Sequence, residues 1–352
     1  MPTGIVLLAD DLSGALDSAS PFRLAGHKVA VAINAGSLMA ATRLDPDVLA
    51  INLDCRALSS DAAAARVRLL EPILAPLKPR LVMLKVDSRL KGPVSALIET
   101  AMASTGRRDA VICPAVPDMG RFVVEGHVTG AGIDRPIRVT GCLPAAPAIV
   151  CRDASDRDGL EDIAASVLAS ADTTLAIGAR GLAQALAEVT APEQPVPPSH
   201  DPALLPVILA IGSRDPVTIE QVERLCQAAK LGDEELAAQE RGSVVLVRPP
   251  SSSAGLEPAG VAAKLAENVA RIVDHLDGAT ILASGGDTAL AIARRLRLHS
   301  LIPQCELLPG VPLSTAPGRP ELHIATKSGG FGGPEALIAC LAALTGAAAV
   351  PA

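Results

Sequence analysis

The stretch VLLADDLSGALDSA, Val6 to Ala19, contains the first strand–helix unit of this 352-residue chain. Its apolar start is typical of a buried strand, and the residues from Ser13 onward form a helical pattern opened by a capping-type serine. Asp10 and Asp11 lie side by side where the strand ends, although burying either carboxylate without a partner is expensive. The pair is therefore either a solvated acidic turn or a site that meets a metal, a hydroxyl or a cation.

The same strand–helix alternation continues along the chain. Strands are predicted at Gly4–Ala9, Lys28–Ile33, Val48–Asn52, Leu81–Val86, Ala110–Cys113, Val207–Ile211, Val244–Val247, Thr280–Ala283 and Leu322–Ala325. Helices are predicted at Ser13–His27, where Gly26 suits the helix end, at Ser59–Leu74 with Ser59 or Ser60 as cap, and from Pro216, Pro258, Thr288 and Pro334 onward. This alternation predicts an α/β protein with two doubly wound lobes and largely parallel sheets.

One proline-rich stretch divides the chain. Residues 190–206, TAPEQPVPPSHDPALLP, contain six prolines, which fix φ and remove backbone donors, so the stretch is typical of an extended spacer. A length of 352 residues also suits two domains. We therefore predict a first domain at 1–190, a linker at 191–206 and a second domain at 207–352.

Composition argues against several classes of protein. The net charge is −7, and the chain has no Trp, no Tyr and only three Phe, so nucleic-acid binding is not expected. The seven cysteines are scattered without a C-x-x-C pair, which predicts neither a disulfide framework nor a zinc site. No signal-peptide pattern and no run of 18 apolar residues is found, so we expect a cytoplasmic protein without a membrane partner.

Charged and polar side chains collect at the predicted strand ends of the first half, where open parallel sheets bind ligands. They are Asp10, Asp11, Asp54, Arg56, Lys85, Asp87, Ser88, Arg89, Lys91, Arg121 and His127. Arginine matches a carboxylate bidentately and lysine acts as a point charge, while the carboxylates could orient a hydroxyl or Mg²⁺. Each residue alone is better explained as a cap, a turn or a surface ion pair; the clustering on successive strands favours a small-anion site.

The second half has three glycine-bearing turns, each between a predicted strand and a helix. They are Gly212-Ser213, the Gly285–Thr288 turn, and Lys327–Gly332. Glycine lets the backbone approach a phosphate closely, and N–H groups at a helix start donate to it. None of the turns is a P-loop or a G-x-G-x-x-G fingerprint, and each alone is equally explained as loop punctuation. Three such turns at one edge favour a nucleotide phosphate site.

The motifs ADDLSGALDSA, LKVDSRLKG, PAVPDMGR, GSRDPVTIEQ, GGDTA, PGVPL and TKSGGFG occur in this order from about Ile5 to Ala336. In them the chain resembles the four-carbon acid sugar kinase family. The resemblance implies an ATP-dependent kinase that phosphorylates the terminal 4-hydroxyl of threonate, erythronate or a 3-oxo-tetronate. It also implies an acid-sugar-binding first domain, a nucleotide-binding second domain with a cleft between them, Mg²⁺ as a cofactor and a possible homodimer.

The residues and the resemblance together give a candidate site. The catalytic candidates are Asp11 and Asp87, either of which would orient or deprotonate the attacking hydroxyl. The substrate-binding candidates are Asp10, Ser13, Arg56, Lys85, Ser88, Arg89 and Arg121, with Asp10 also on the Mg²⁺ side. The nucleotide-binding candidates are Ser213, Gly285, Gly286, Asp287, Thr288, Lys327, Gly329 and Gly330.

The chain departs from the family pattern K-x-D-S-T-L-R-G-N at three positions. Arg89 stands for Thr, Lys91 for Arg and Pro93 for Asn. Arg89 either supplies the missing guanidinium or reflects a different substrate. Two other functions remain open at this point: a non-catalytic sugar-acid or nucleotide-binding protein, and a nicotinamide-dependent oxidoreductase, which the missing G-x-G-x-x-G disfavours.

Overall fold

The opening strand–helix unit is formed as predicted. Ile5–Ala9 is a strand buried along its whole length, and a helix begins three residues later at Leu12. The structure is a computed structural model that describes residues 4–145, 148–197, 203–229, 244–249 and 257–346. The chain divides into two units, Met1–Pro198 and Ser199–Ala352, which we call unit 1 and unit 2.

Unit 1 alternates strands and helices. In chain order its elements are β1 (Ile5–Ala9), α1 (Leu12–Leu24), β2 (Val29–Ala32), α2 (Leu38–Thr42), β3 (Val48–Asn52), α3 (Ser60–Arg68), α4 (Glu71–Leu77), β4 (Leu81–Lys85), α5 (Val94–Thr105), β5 (Asp109–Cys113), β6 (Arg121–Val124), β7 (His127–Gly130), β8 (Ile137–Arg138), β9 (Ile149–Cys151), α6 (Arg157–Ala169), β10 (Thr174–Gly178) and α7 (Arg180–Val189).

Seven of these strands form a parallel sheet in the order β2-β3-β1-β4-β10-β5-β9. The strands end in register: Ala9 pairs with Asn52 and with Lys85, and Lys85 pairs with Gly178. Residues that follow these strands therefore meet at one edge of the sheet. β6, β7 and β8 form a separate antiparallel sheet that the sequence analysis did not predict.

Two details of the helices differ from the prediction. The N-cap of α1 is Asp11, whose side chain accepts from the Gly14 N–H, while Ser13 lies inside the helix. Ser59 caps α3 as predicted, but the predicted helix Ser59–Leu74 is two helices, α3 and α4. A proline in the first turn of α4 explains the break, because proline favours a new helix start and cannot donate inside a continuing helix.

Unit 2 has the same style with an antiparallel extension. Its elements are β11 (Val207–Ile211), α8 (Pro216–Ala229), β12 (Val244–Val247), α9 (Pro258–Val273), β13 (Ala279–Ser284), α10 (Gly286–Arg295), β14 (Ser300–Leu308), β15 (Val311–Thr315), β16 (Leu322–Lys327) and α11 (Ala336–Thr345).

The strands β12-β11-β13-β16 are parallel, and β15 and β14 continue the sheet antiparallel to them. The antiparallel pair was not predicted. Apolar side chains of β11, β13, β15, α8 and α11 form a buried core, which includes Leu209, Leu282 and Leu337. Both units are thus α/β with mainly parallel sheets, as predicted.

The first part of the proline-rich stretch is attached to unit 1. Val196 N–H donates to the Gly26 carbonyl at 2.7 Å. Arg23 donates to the carbonyls of Val196 and Pro197 at 2.7 and 2.8 Å. Residues 198–202 lie outside the described residues. Among those that are described, no helix is long and apolar enough to cross a membrane, and all seven cysteines are free.

Candidate active site

The neighbouring carboxylates of Asp10 and Asp11 share one guanidinium, that of Arg56. Arg56 Nε donates to Asp10 Oδ2 and Nη2 to Asp10 Oδ1, each at 2.7 Å, and Nη1 donates to Asp11 Oδ2 at 2.5 Å. The Asp10 side chain is only 2% exposed and that of Asp11 15%. The bidentate arginine opposes the desolvation of Asp10, but burial is the larger effect and raises the pKa of that carboxyl. The pair is a buried site with a cationic partner, and the solvated-turn alternative is wrong.

The backbone after β3 brings Arg56 to this position. The N–H groups of Cys55 and Arg56 both donate to the Asp10 carbonyl, at 3.0 and 3.2 Å. Asp54, directly before them, has a φ of 50°, which turns the chain. On the other side, Gly92 has a φ of 92°, and a Cβ there would lie 3.0 Å from the Arg56 carbonyl oxygen. The loops after β3 and β4 therefore pack closely around Arg56.

Asp11 is committed to three donors. Its Oδ1 accepts from the Gly14 N–H at 2.6 Å, and its Oδ2 accepts from the Ser13 hydroxyl at 3.0 Å as well as from Arg56. A Cβ on Gly14 would lie 2.6 Å from Asp11 Oδ1 and 2.9 Å from Lys85 Nζ. The first turn of α1 thus needs glycine at this position, because the Lys85 ammonium approaches the helix there.

Lys85, at the end of β4, lies among carboxylates. It is 4% exposed, and its Nζ lies 3.9 Å from Asp17 Oδ1. Burial lowers the pKa of Lys85, but the negative charges of Asp17, Asp10 and Asp11 outweigh burial, and the net shift is upward. The ammonium therefore stays protonated as a buried positive charge beside Asp10 and Asp11.

Two residues of this charge cluster were missed by the sequence analysis. Burial raises the pKa of Asp17, while the charges of Lys85 and Arg180 oppose the rise. Arg180 is 7% exposed at the start of α7 and donates to Gln184 at 2.9 Å. Asp17 stands in the opening stretch itself, on the buried face of α1, and Arg180 follows β10, a strand that was not predicted. Each of the two is a charged residue within an otherwise mainly apolar stretch of sequence, and this pattern could have identified both as buried charges.

Asp87 lies two residues after the end of β4, close enough to Arg56 and Lys85 for their positive charges to affect its pKa. Its Oδ2 accepts from the Arg89 N–H at 3.0 Å. Burial alone would raise the pKa of Asp87, but the positive charges of Arg56 and Lys85, together with the Arg89 N–H, lower it. Asp87 is thus ionised at neutral pH, and its Oδ1 accepts no hydrogen bond from the part of the chain that is described.

Arg121 is bound to Ser88, the residue that follows Asp87. Arg121 Nη1 donates to the Ser88 hydroxyl at 2.8 Å, and its Nε donates to the Ala131 carbonyl at 2.9 Å. Arg121 is the first residue of β6, and Ala131 directly follows β7, the strand that pairs with β6. Arg89 is half-buried and Lys91 is exposed. The structure therefore gathers Asp10, Asp11, Ser13, Arg56, Lys85, Asp87 and Ser88 at the sheet edge and ties Arg121 to them.

His127 and Asp54, which also follow predicted strands, have local roles. His127 Nδ1 lies 2.7 Å from the Glu125 carbonyl oxygen within the turn that joins β6 and β7. The Asp54 N–H donates to the Asn52 side chain at 2.9 Å. Both contacts are typical of turn residues.

The carboxylates of unit 1 do not make a protein-held metal site. Both oxygens of Asp10 accept from Arg56, and a guanidinium lies where a cation bound to Asp10 would be. Among the residues that the structure describes, no group of three or more His, Cys, Asp or Glu side chains is arranged to hold a metal. The donor set thus does not fit Mg²⁺ at Asp10. An ion that accompanies a nucleotide is bound largely by phosphate oxygens and water.

In unit 2 the three glycine-bearing turns lie together. Ile211 pairs with Ser284 and Ser284 pairs with Lys327, so β11, β13 and β16 end in register. The N–H groups of Gly212 and Ser213 donate to the Ser284 carbonyl, at 3.3 and 3.2 Å, and the Gly285 N–H donates to the Lys327 carbonyl at 2.8 Å. The turns are therefore linked to one another by backbone hydrogen bonds.

Glycine lets these turns approach one another closely. A Cβ on Gly212 would collide with the Thr288 hydroxyl, and one on Gly329 would collide with the Ser213 hydroxyl. Gly285 has a φ of 110°, which favours glycine. It precedes α10, whose first residues are Gly286, Asp287 and Thr288. Asp287 is exposed, whereas Thr288 is 3% exposed. This edge presents a helix start beside closely packed glycines.

Lys327 is oriented toward the backbone of the third turn. The side chain is 0% exposed, and its Nζ donates to the carbonyls of Ser328 and Gly329 at 3.1 and 3.4 Å. Burial lowers the pKa of Lys327 to about 8. Lys327 therefore stabilises the loop that contains Gly329 and Gly330 by donating to its backbone carbonyls.

Both halves of the chain match known protein domains. Residues 5–142 match the family model described as the sugar-binding N-terminal domain, and residues 249–337 match that of the nucleotide-binding C-terminal domain. The chain is 31% identical to the D-threonate kinase of Bordetella bronchiseptica, over 95% of this chain and 96% of the relative. It is 27% identical to the 3-oxo-tetronate kinase of Methylobacterium radiotolerans, over 95% and 98% of the two chains.

A solved structure agrees with these relatives. The crystal structure of a protein from Bordetella bronchiseptica, described as a domain of unknown function with bound citrate and as a domain-swapped dimer, is 28% identical. It covers 97% of this chain and 98% of its own, with a TM-score of 0.50. With relatives matched over nearly its whole length and both domain models in order, this chain belongs to the four-carbon acid sugar kinase family and is an enzyme.

Proposed function

We propose that the enzyme transfers the γ-phosphoryl group of ATP to the terminal 4-hydroxyl of a four-carbon sugar acid. Unit 1 binds the sugar acid and unit 2 binds ATP. The observation that carries the proposal is the sheet edge of unit 1, where Asp87 is ionised beside the charges of Arg56 and Lys85. It occurs in a chain that is similar along 95% of its length to a D-threonate kinase.

Of the two candidate bases, the hydrogen bonds favour Asp87. Both oxygens of Asp11 accept from local donors, since Oδ1 caps α1 and Oδ2 accepts from Ser13 and Arg56. Asp87 has an oxygen left for a ligand. We assign Asp87 to orient the attacking hydroxyl and Asp11 to hold Arg56 and the start of α1. Orientation matters more than basicity here, because phosphoryl transfer depends mainly on positioning and charge neutralisation.

The carboxylate of the sugar acid needs a cation. Arg56 spends three N–H groups on Asp10 and Asp11, and Lys85 is buried among carboxylates. We assign the carboxylate to Arg89 and to Arg121, which donates to the hydroxyl of Ser88, the residue after Asp87. Guanidinium groups suit this task because they pair with carboxylates bidentately. Citrate in the similar Bordetella structure is also a carboxylic acid.

We assign the phosphates of ATP to the glycine turns of unit 2. Helix starts and glycine backbones donate N–H groups to phosphate. In the reaction the hydroxyl oxygen bonds to the γ-phosphorus, the bond from that phosphorus to the ADP oxygen breaks, and the hydroxyl proton goes to Asp87 or to solvent. Mg²⁺, where it accompanies ATP, would neutralise phosphate charge and would be held largely by phosphate oxygens and water.

The test is a coupled ADP-release screen with Mg-ATP against both threonate enantiomers, erythronate and 3-oxo-tetronates. We expect one or more of these acids to release ADP, and phosphorus–proton correlation in the product to place the phosphate on the 4-hydroxyl. Thermal shift with ADP and with NAD runs alongside, and only ADP is expected to stabilise the protein. Failure of every four-carbon acid, despite ADP binding, would support a non-catalytic binding protein and contradict the proposal.

A second copy of the chain is the remaining partner that we propose. The similar Bordetella structure is described as a domain-swapped dimer. Light scattering after size-exclusion chromatography should give twice the mass of 35.7 kDa. A mass of one chain at micromolar concentration contradicts the dimer and leaves the proposed reaction untouched.

A further inference from the structure

The loop Ser328–Gly333, which we call the glycine loop, has its carbonyl groups bound by buried side chains. Carbonyl oxygens of residues 328, 329, 331, 332 and 333 accept hydrogen bonds from Lys327, Thr218 and Gln221. Thr218 and Gln221 are both 0% exposed. They lie in the motif GSRDPVTIEQ but were assigned no role by the sequence analysis or by the proposed function.

Thr218 connects the first and third glycine turns. Its hydroxyl lies 2.5 Å from the Gly329 carbonyl and 3.2 Å from the Ser213 hydroxyl. Ser213 Oγ in turn accepts from the Asp215 N–H at 3.2 Å. Thr218 lies in the first turn of α8, so the position of the glycine loop is fixed relative to the start of that helix.

Gln221 holds the other half of the loop. Its Nε2 lies 2.9, 3.2 and 2.8 Å from the carbonyl oxygens of Phe331, Gly332 and Gly333. Gln221 is one turn beyond Thr218 on the same face of α8, which places both side chains under the loop. One helix face thus binds four carbonyl groups of a loop in which four of six residues are glycine.

We propose that Thr218 and Gln221 are positioning residues for the nucleotide phosphates, acting through the glycine loop. The inference rests on the proposed function. Carbonyl dipoles repel phosphate, whereas backbone N–H groups attract it. The buried donors Thr218 and Gln221 hold the carbonyl groups of the glycine loop toward α8 and so away from a bound phosphate. They also fix a glycine-rich backbone before the nucleotide binds, so less conformational entropy is lost on binding. Neither side chain needs to touch the nucleotide.

The test compares ADP affinity by titration calorimetry in the wild type, Thr218→Val, Thr218→Ser and Gln221→Leu. Thr218→Val keeps the shape and removes the donor, so we expect about a tenfold loss of affinity, the equivalent of one net hydrogen bond. Thr218→Ser should restore most of it. Gln221→Leu removes contacts to three carbonyls and should cost at least as much. Amide exchange of residues 328–333 in the ligand-free protein should accelerate in the Val and Leu variants.

Two matched controls lie elsewhere in unit 2. Thr345 donates to a helix carbonyl in α11 at 2.9 Å, and Gln304 donates to the Ile302 carbonyl on β14 at 3.1 Å. Thr345→Val and Gln304→Leu should leave ADP affinity unchanged. If the Thr218 and Gln221 variants bind ADP with wild-type affinity and show wild-type amide exchange at residues 328–333, the inference is wrong. The proposed function would not be affected by that result. If the wild type binds no ADP, the proposed function fails and the inference fails with it.

Discussion

Lys85 Nζ at the end of β4 lies 3.9 Å from Asp17 Oδ1 on α1, and both residues are largely buried. The contact joins the strand that carries the substrate-side charges to the helix that Asp11 caps. Asp17 therefore affects the site indirectly, because its negative charge helps to keep the Lys85 ammonium protonated beside Asp10 and Asp11.

Replacing Asp17 with asparagine should weaken this arrangement. The variant leaves the Lys85 ammonium with less compensation, so the free energy of unfolding should fall by about 2 kcal/mol. Urea unfolding measures the change, and the affinity for the sugar acid should fall as well. Asp162→Asn, an exposed position on α6, is the control. Equal stability of the two variants would show that Lys85 does not depend on Asp17.

Replacing Asp87 with asparagine should strongly lower sugar-dependent ADP release and leave a small residual rate. An amide cannot accept the hydroxyl proton, and loss of a general base typically lowers the rate by about 10²- to 10⁴-fold. ADP affinity should be nearly intact, because the glycine turns lie in unit 2. Asp109→Asn, an exposed position at the start of β5, serves as the control. An unchanged rate in Asp87→Asn would remove Asp87 from the mechanism.

The pH dependence of the rate follows from the lowered pKa of Asp87. The neighbouring charges hold this pKa below its ordinary value of 3.8, so the carboxylate gives activity that is present above about pH 4 and lost only below it. We expect kcat/KM for the sugar acid to show no acid limb from Asp87 between pH 5 and pH 8. An acid limb in that range that disappears in Asp87→Asn would contradict the assignment.

Replacing Arg56 with lysine should destabilise unit 1 although the charge is kept. A lysine cannot donate to Asp10 bidentately and to Asp11 at the same time. One of the two buried carboxylates would then lose its charged donor, which should lower the free energy of unfolding by about 1–3 kcal/mol. Thermal and urea unfolding measure the loss. Arg157→Lys, an exposed arginine on α6, should unfold like the wild type.

Replacing Lys327 with methionine should change how stability depends on pH. The pKa of Lys327 is lowered from 10.5 to about 8, so the protonated form is penalised in the folded state. This penalty, about 3 kcal/mol, is fully present below pH 8 and is relieved as the pH rises from 8 to 10.5. The stability of the wild type relative to Lys327→Met should therefore increase between pH 7 and pH 10. Lys264→Met, on α9, is the control, and a flat difference would contradict the buried ammonium.

The prediction from sequence succeeds where the signal is local. β1, β3 and the start of α8 are found because apolar runs, caps and prolines determine them from a few neighbouring residues. The clustering of Asp10, Arg56 and Lys85 also follows, since parallel strands that end in register bring their following residues to one edge. The antiparallel strands β14 and β15 were missed, because their pattern of burial comes from their partners in the sheet.

The amino-acid sequence by itself determined the α/β class, the family and which residue types stand at the strand ends, because these depend on patterns of adjacent residues. Only the tertiary structure decided which charges meet. Arg56 pairs with Asp10 and Asp11, Lys85 lies near Asp17, and α8 binds the carbonyls of the glycine loop. The reason is physical: hydrogen bonds and ion pairs depend on distances of a few ångströms between residues far apart in the chain, and only packing sets those distances.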